Sequence, residues 1–222
     1  MNDWSDGKRF AFWLMLLGLL AVALCVAVPT FCRSIGLPWL WGARLKTATV
    51  VADTAKRTST RAGDPSLEDA CAVEVYCYPQ TQGTELYTVD SSVVERVREL
   101  LDGMTFTYWA GYGAHVESMR NVSGGFSTTL SLLDTTGAEL FSIMWSERWY
   151  VLVKDIAYSL DGDTSKLDDM MNALLAEACE EMVLATDRPG GMTPMLERRW
   201  LLPDEYESLL RGAEPDAQKD RS

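Results

Sequence analysis

Residues 126–160 read FSTTLSLLDTTGAELFSIMWSERWYVLVKDIAYSL, and this stretch predicts the centre of the fold. It holds four strand-like runs: Phe126 to Leu133, Leu140 to Trp145, Trp149 to Val153 and Ile156 to Leu160. Short polar segments with turn-forming residues separate the runs, and connections of this length make tight hairpins. The stretch therefore predicts an antiparallel β-meander.

Two more strands and a helix are predicted before the meander. Apolar and polar side chains alternate from Val73 to Tyr78, and Glu85 to Val89 predicts a second, paired strand. The sequence DSS from Asp90 predicts a helix start, because its last serine is spaced as a capping box with Glu95. Gly103 is expected to end this helix.

A closing helix is predicted after the meander, and the sequence DGDTS from Asp161 opens it. Its apolar positions recur at helical spacing: Leu167, Met170, Met171, Leu174, Leu175, Ala178 and Met182. Two such helices can cover one face of a sheet. The sequence thus predicts an α+β domain over residues 71–185, a meander of about six strands covered on one face by two helices.

An N-terminal apolar run predicts a membrane anchor before this domain. Residues 10–28 contain no charge and follow Lys8 and Arg9 in the flank 1–9. As a helix the run is about 28 Å long, close to the hydrocarbon thickness of a bilayer. The early cations favour an N-terminus inside the cell and an extracytoplasmic C-terminal domain, although later cations leave the opposite topology open.

Two alternatives to an uncleaved transmembrane helix remain at this point. A signal peptide usually has a shorter apolar region of about 7–15 residues that ends in a small-x-small site. The only good match, Ala21 to Ala23, lies inside the run. A lipid anchor on Cys25 or Cys32 is disfavoured because large residues precede both cysteines. An uncleaved anchor is therefore the favoured interpretation.

The segments on either side of the domain are predicted to be connections. Residues 29–70 are expected to form a juxtamembrane stem and linker, in which Val50 to Ala55 permits a short helix. Residues 186–222 are expected to form a tail with one short helix from Pro203 to Leu210 and a disordered end. Whether that tail contacts the domain or a partner is left open.

Composition and charge exclude some functions. Residues 71–222 carry 12 Lys and Arg against 26 Asp and Glu. Such a domain repels phosphate backbones, so no nucleic acid is expected as a partner. The expected partners are the lipid bilayer, through residues 10–28, and an envelope protein.

A search for catalytic and metal-binding patterns predicts no catalytic, cofactor-binding or metal-ligating residue and no cofactor. His115 is the only histidine, which excludes a multi-histidine metal site. The acidic run from Asp161 resembles a calcium loop, but Lys166 stands where the loop needs glycine, and Asn172 stands where it needs glutamate. The aromatic residues Trp109 and Tyr112, together with His115, form a candidate contact surface.

The cysteines leave one question open. Cys71 and Cys77 cannot bridge within one extended strand. Cys77 and Cys179 are close enough in the predicted layout for a disulfide, and free thiols fit the sequence equally well.

The order of elements from residue 72 to 184 resembles a known group of proteins. A strand pair and a capped helix precede the sequence SGGFS from Ser123, which leads into an alternating strand, short hairpins ending near Tyr158 and a closing helix. This order resembles small cell-surface domains of Gram-positive bacteria, which belong to families of unknown function. The resemblance implies a domain behind a lipoprotein signal or a single span, with no catalytic residue to transfer.

Together these features predict a membrane-anchored extracytoplasmic domain that binds a protein or envelope component without catalysis. One alternative is a hydrolase that uses His115. Another is a cytoplasm-facing accessory subunit of a membrane complex.

Overall fold

The computed structural model describes residues 6–34, 37–38, 40, 42–58, 66–78, 84–108, 127–146, 150–154, 156–161, 164–186 and 199–213. Within these residues the chain forms five α-helices: α1 (Asp6–Ser34), α2 (Thr47–Thr58), α3 (Ser91–Asp102), α4 (Ser165–Thr186) and α5 (Pro203–Ala213). A short 3₁₀ turn covers Leu67–Asp69. The strands are β1 (Arg44–Lys46), β2 (Ala72–Tyr78), β3 (Thr84–Thr88), β4 (Thr105–Tyr108), β5 (Ser127–Leu133), β6 (Glu139–Trp145), β7 (Val151–Val153), β8 (Ile156–Leu160) and β9 (Trp200–Leu201).

All strands join one antiparallel sheet in the order β1-β4-β8-β7-β6-β5-β2-β3-β9. The predicted meander is confirmed, because β5, β6, β7 and β8 pair in succession. The expected count of about six strands is wrong, since the described residues contain nine. The additional strands are β1, β4 and β9, which have only two to four residues each. Strands this short show no period-2 alternation and depend on neighbours that are distant in sequence.

The two predicted helices, α3 and α4, pack on one face of the sheet as expected, and the structure adds α2 on that face and α5 on the opposite face. The larger core cluster joins buried side chains of α2, α3 and α4 to one sheet face. Phe106 is fully buried in this cluster and makes edge-on ring contacts, with centroids 6.3 Å from Phe141 and 5.6 Å from Tyr158. A second cluster joins α5 to the opposite face through Tyr206 and Leu201.

Helix α2, which contains the short helix permitted at Val50 to Ala55, belongs to this core, so this part of residues 29–70 is not a linker. Val50 and Val51 are 0% and 1% exposed, and the Thr47 hydroxyl donates a hydrogen bond to the carbonyl of Leu101 at the end of α3. Burial of two valines stabilises the fold by a few kcal/mol. The folded body therefore begins at β1, before the predicted start at residue 71.

The boundaries of α3 are set by its caps. The Asp90 carboxylate accepts hydrogen bonds from the backbone N–H groups of Ser92 at 2.9 Å and Val93 at 3.3 Å. The N-cap is thus Asp90 and not Ser92, because an aspartate oxygen satisfies the free N–H groups of the first turn. The predicted end at Gly103 is confirmed, since its N–H donates to the carbonyl of Glu99.

The predicted apolar stripe of α4 faces the core. Leu167, Met171, Leu174 and Ala178 are buried, while Met170 and Leu175 are half-buried. The side chain of Met182 lies outside the described residues. The indole N–H of Trp145 donates to Asp168 at 2.7 Å, which joins β6 to the first turn of the helix.

The C-terminal segment docks on the domain. Trp200 is 1% exposed in the core, and the ring of Tyr206 stacks on Tyr87 with centroids 4.4 Å apart. Gly137, in the β5–β6 turn, lies beneath α5, because a Cβ there would meet Leu210 at 2.6 Å. Residues 199–213 therefore contact the domain itself, and the predicted short helix is confirmed as α5. The end expected to be disordered lies outside the described residues.

An ion pair and two backbone hydrogen bonds join residues 199–200 to the helices of the larger core. The Arg199 guanidinium lies 2.8 Å from the Asp90 carboxylate. Glu181 of α4 accepts hydrogen bonds from the backbone N–H groups of Arg199 at 2.7 Å and Trp200 at 3.1 Å. These contacts join β9, α3 and α4.

Helix α1 differs from the others because its apolar side chains pack against no core. The span Arg9–Cys32 has a mean hydropathy of 2.7 and is 0% buried. By length and composition it is able to cross a membrane. Signal sequences near an N-terminus share these properties.

Candidate functional site

A groove lies between α2, the 3₁₀ turn and α3, with a volume of about 460 Å³. Its apolar lining consists of Ala48, which is exposed, and of Val51 and Leu67, which are only 1% and 8% exposed. The turn that forms one wall is fixed by Ser66, whose hydroxyl accepts from the Glu68 N–H at 3.2 Å while its own N–H donates to Asp69. We call this feature the α2–α3 groove.

The rim of the α2–α3 groove is acidic. Glu95, Glu99 and Asp102 lie on one side of α3 because residues three, four and seven apart share a helix face. Glu68 lies across from them on the 3₁₀ turn. Arg98 also lines the groove, and its guanidinium is 2.5 Å from the Glu95 carboxylate. Glu68, Glu99 and Asp102 form no ion pair with any residue that the structure describes.

The sequence predicts an ordinary solvated face for the charges of α3. Glu95, Glu99 and Asp102 are indeed exposed, and they also line a concavity whose opposite wall comes from α2 and the 3₁₀ turn, which are distant in sequence. The spacing of Glu95, Glu99 and Asp102 was visible in the sequence, but nothing there indicated what would face them.

A second feature is a polar row across the outer face of the sheet, opposite the larger core. Tyr87, Glu74, Ser131 and Ser142 are direct neighbours on β3, β2, β5 and β6. The Tyr87 hydroxyl lies 2.6 Å from Glu85 and 3.4 Å from Glu74, and the two serine hydroxyls are 3.2 Å apart. Since Tyr206 stacks on Tyr87, α5 covers one end of this row.

The row contains a carboxyl group with a shifted pKa. Burial raises the pKa of Glu74, and the nearby carboxylates Glu85 and Glu139 raise it further, against the lowering effect of a hydrogen bond from Ser131. Burial raises the pKa of the Tyr87 hydroxyl, and the neighbouring carboxylates of Glu85 and Glu74 raise it further, so the hydroxyl stays protonated. The row is therefore a half-buried polar network across four strands, and it includes one partly desolvated carboxyl group.

We expect Glu74→Gln to stabilise the protein at neutral pH. Because the folded-state pKa of Glu74 lies above its value of 4.5, the wild type loses stability as pH rises through that folded pKa, and glutamine has no such loss. The gain should appear as a higher Tm at pH 8 and should vanish below pH 4, where the carboxyl group is protonated in both the folded and the unfolded state.

Thermal unfolding of both proteins between pH 4 and pH 8 checks this expectation. Glu180→Gln, at an exposed position on α4, is the matched control and should leave Tm unchanged at every pH. An equal gain for Glu74→Gln at pH 4 and pH 8 would show that ionisation is not the cause.

The structure describes only some of the other predicted site residues. Trp109, Tyr112 and His115 lie outside the described residues, so the contact surface and the role of His115 stay predictions. Cys77 and Cys179 are free thiols, with Cys77 buried and Cys179 exposed. Asp161, the first residue of the calcium-like run, pairs with Arg44 of β1.

The described part of the chain contains no group of three or more His, Cys, Asp or Glu residues placed to hold a metal ion. No protein-family model, curated protein or solved structure matches the chain. The geometry of the described residues thus supplies the basis for a functional proposal.

Proposed function

We propose that this protein is a membrane-tethered domain that binds a protein or envelope component at the outer surface of the membrane, without catalysis. Helix α1 carries the proposal, because the exposed apolar span Arg9–Cys32 would be stabilised by burial in lipid. Lys8 and Arg9 before the span favour an N-terminus inside the cell and a domain outside.

A short tether supports a role at the membrane surface. Residues 35–43 join the end of α1 at Ser34 to β1 at Arg44. A chain of this length reaches at most about 35 Å when fully extended. The domain would therefore stay close to the bilayer and meet partners there.

The α2–α3 groove supports binding as the activity. Concave sites with an apolar lining and a few polar groups are the usual form of binding sites. The resemblance to small cell-surface domains of Gram-positive bacteria, whose functions are unknown, implies the same placement behind a lipoprotein signal or a single span.

Native cysteines provide the test of this topology. Cys71 and Cys179 are exposed on the domain, whereas Cys77 is buried. In intact cells that express the full chain, a membrane-impermeant maleimide should label Cys71 and Cys179 without lysis. The labelled protein should then be found in the membrane fraction.

The variant Cys71→Ser/Cys179→Ser is the matched control and should lose this labelling, because the remaining domain thiol, Cys77, is buried. Cys25→Ser and Cys32→Ser are introduced into both proteins to remove the thiols of α1. Labelling that appears only after lysis would overturn the proposed orientation. That outcome would favour the cytoplasm-facing accessory subunit.

A further inference from the structure

We infer that the β1 edge of the sheet lies against the anionic headgroups of the membrane that holds α1. The contact is made by Leu37 and Leu40, which enter the interfacial layer, and by Arg44 and Lys46, which meet lipid phosphates. We call these four residues the β1 surface. The inference rests on the proposed anchoring by α1 and adds which side of the domain faces the lipid, and it holds for either orientation across the membrane.

The connection between α1 and the sheet is fixed by hydrogen bonds at both ends. The backbone N–H of Leu37 donates to the carbonyl of Cys32 at 2.9 Å, so the chain is still joined to the end of the apolar span there. The N–H of Gly42 donates to the carbonyl of Tyr108, at the end of β4, at 2.8 Å. The chain from Leu37 to Gly42 reaches at most about 18 Å when fully extended.

This reach brings β1 to the lipid. The polar layer on each side of the hydrocarbon core is about 5–8 Å thick. With Cys32 at the end of the span, the start of β1 lies in that layer or directly above it. Strand β1 pairs with β4 on one side and with no other described strand, so a lipid surface would cover an open sheet edge.

Two exposed leucines lie on this connection. Leu37 is 37% exposed and Leu40 is 51% exposed. Among the large apolar side chains that the structure describes outside α1, only Val89 and Leu202 are comparably exposed, and both lie at the opposite edge of the sheet. Apolar side chains beside a span are stabilised when they enter the boundary between headgroups and acyl chains. The exposure of Leu37 and Leu40 therefore fits a lipid contact.

The charge of the domain is distributed along the same direction. Residues 42–58 contain four Lys and Arg against one Asp or Glu, whereas residues 71–222 contain 12 against 26. The opposite edge carries α5, whose first turn holds Asp204 and Glu205. In a sheet of nine strands the two edges are about 38 Å apart, because neighbouring strands are spaced by about 4.8 Å. The basic edge thus faces the lipid and the acidic edge lies far from it.

The two cations of β1 are free to meet phosphates. Arg44 and Lys46 project from the same face of the strand, because successive side chains alternate. Lys46 donates to the Thr105 hydroxyl at 3.3 Å and forms no ion pair with any described residue. Arg44 pairs with Asp161, and its side chain is still 67% exposed. Anionic lipids attract basic residues that lie next to a span.

The test uses the purified full chain in nanodiscs of phosphatidylcholine, with and without phosphatidylglycerol. A neutral acetylating reagent followed by peptide mass spectrometry measures the reaction rate of each lysine. Lys46 should react at least about threefold more slowly when phosphatidylglycerol is present, because phosphates cover its ammonium group. Lys166, exposed on α4, should react at the same rate in both lipids. Raising the salt from about 0.1 M to about 1 M should remove the difference, since it shortens the Debye length from about 10 Å to about 3 Å.

Two matched variants separate contact from nearness to the membrane. The first removes both leucines and one cation from the β1 surface: Leu37→Ser/Leu40→Ser/Arg44→Gln. The second makes the same changes at the opposite edge of the sheet: Val89→Ser/Leu202→Ser/Arg211→Gln. The first should restore the rate of Lys46 to its value in phosphatidylcholine, and the second should leave Lys46 protected.

Equal slowing of Lys46 and Lys166, or no slowing of Lys46, would overturn the inference. Slowing that persists in the first variant would also overturn it, because it would show nearness to lipid charge without contact by the β1 surface. Equal protection of Lys46 in both lipids would overturn it in favour of a second copy of the chain on β1.

Copurification with the nanodiscs is measured first. A chain that does not enter them would contradict the anchor and this inference together. An incorporated chain with a reactive Lys46 would contradict the lipid contact of β1 alone. The rates do not depend on which side of a cell membrane the domain occupies, so failure here is distinguishable from failure of the cysteine labelling.

Discussion

Replacing Trp200 with alanine is expected to lower the free energy of unfolding by about 3–5 kcal/mol, the usual cost of removing a buried aromatic side chain. Trp200 is 1% exposed and belongs to the larger core cluster, although it lies in the two-residue strand β9. The backbone of β9 pairs with Tyr87 and Thr88 of β3. Loss of the indole should therefore also weaken the packing of α5, because this helix comes almost directly after β9 in the chain.

Urea denaturation of the full chain in detergent, followed by near-ultraviolet circular dichroism, measures this effect. Leu202→Ala, at a neighbouring position that is 42% exposed, is the matched control and should change stability by less than about 0.5 kcal/mol. Trp200→Phe should cost less than alanine because it keeps an aromatic ring in the core. A loss below about 1 kcal/mol for Trp200→Ala would show that residues 199–213 do not belong to the domain.

Two charges in the apolar helix should abolish membrane insertion. Leu17 and Leu20 are 66% and 58% exposed on α1, in the middle of the predicted span. Arginine at a helix centre costs about 2.5–3.5 kcal/mol on insertion scales, and leucine contributes favourably. Leu17→Arg/Leu20→Arg should thus move most of the protein out of the alkali-resistant membrane fraction.

The domain itself should tolerate this change, because the span Arg9–Cys32 packs against no core. The urea midpoint of the Leu17→Arg/Leu20→Arg protein should match that of the wild type. Leu17→Val/Leu20→Val is the control and should remain in the membrane fraction. Full retention of the arginine variant would contradict the assignment of α1 as an anchor.

The meander and the two helices α3 and α4 were predictable from the sequence for physical reasons. Each strand from β5 to β8 lies next to its partner along the chain, so short turns reveal the pairing. Glycine at 103 and the apolar spacing from Leu167 to Ala178 likewise depend only on local geometry.

The parts that sequence did not reveal depend on distant contacts. Strand β1 pairs with β4, and β9 pairs with β3, across separations that no local pattern encodes. Helix α2 was compatible with a linker because its buried face combines Val50 and Val51 with the polar residues Thr47 and Thr54. Its role becomes clear only when α3 and the sheet are in place beside it.

In the candidate site, too, one part was predictable from the sequence and the other depends on distant contacts. The acidic face of α3 was visible in the spacing of Glu95, Glu99 and Asp102. The groove also requires the apolar lining from α2 and Glu68 on the 3₁₀ turn, which meet α3 only in the folded chain. The predicted contact surface at Trp109, Tyr112 and His115 stays a prediction.

The mass of the mature protein shows whether α1 remains part of the molecule. Membranes from cells that express the chain would be washed at alkaline pH, and the retained protein would be measured by intact-mass spectrometry. We expect the full 222-residue chain in the washed membranes. A protein that lacks about its first 30 residues and is recovered from the medium would contradict a permanent tether.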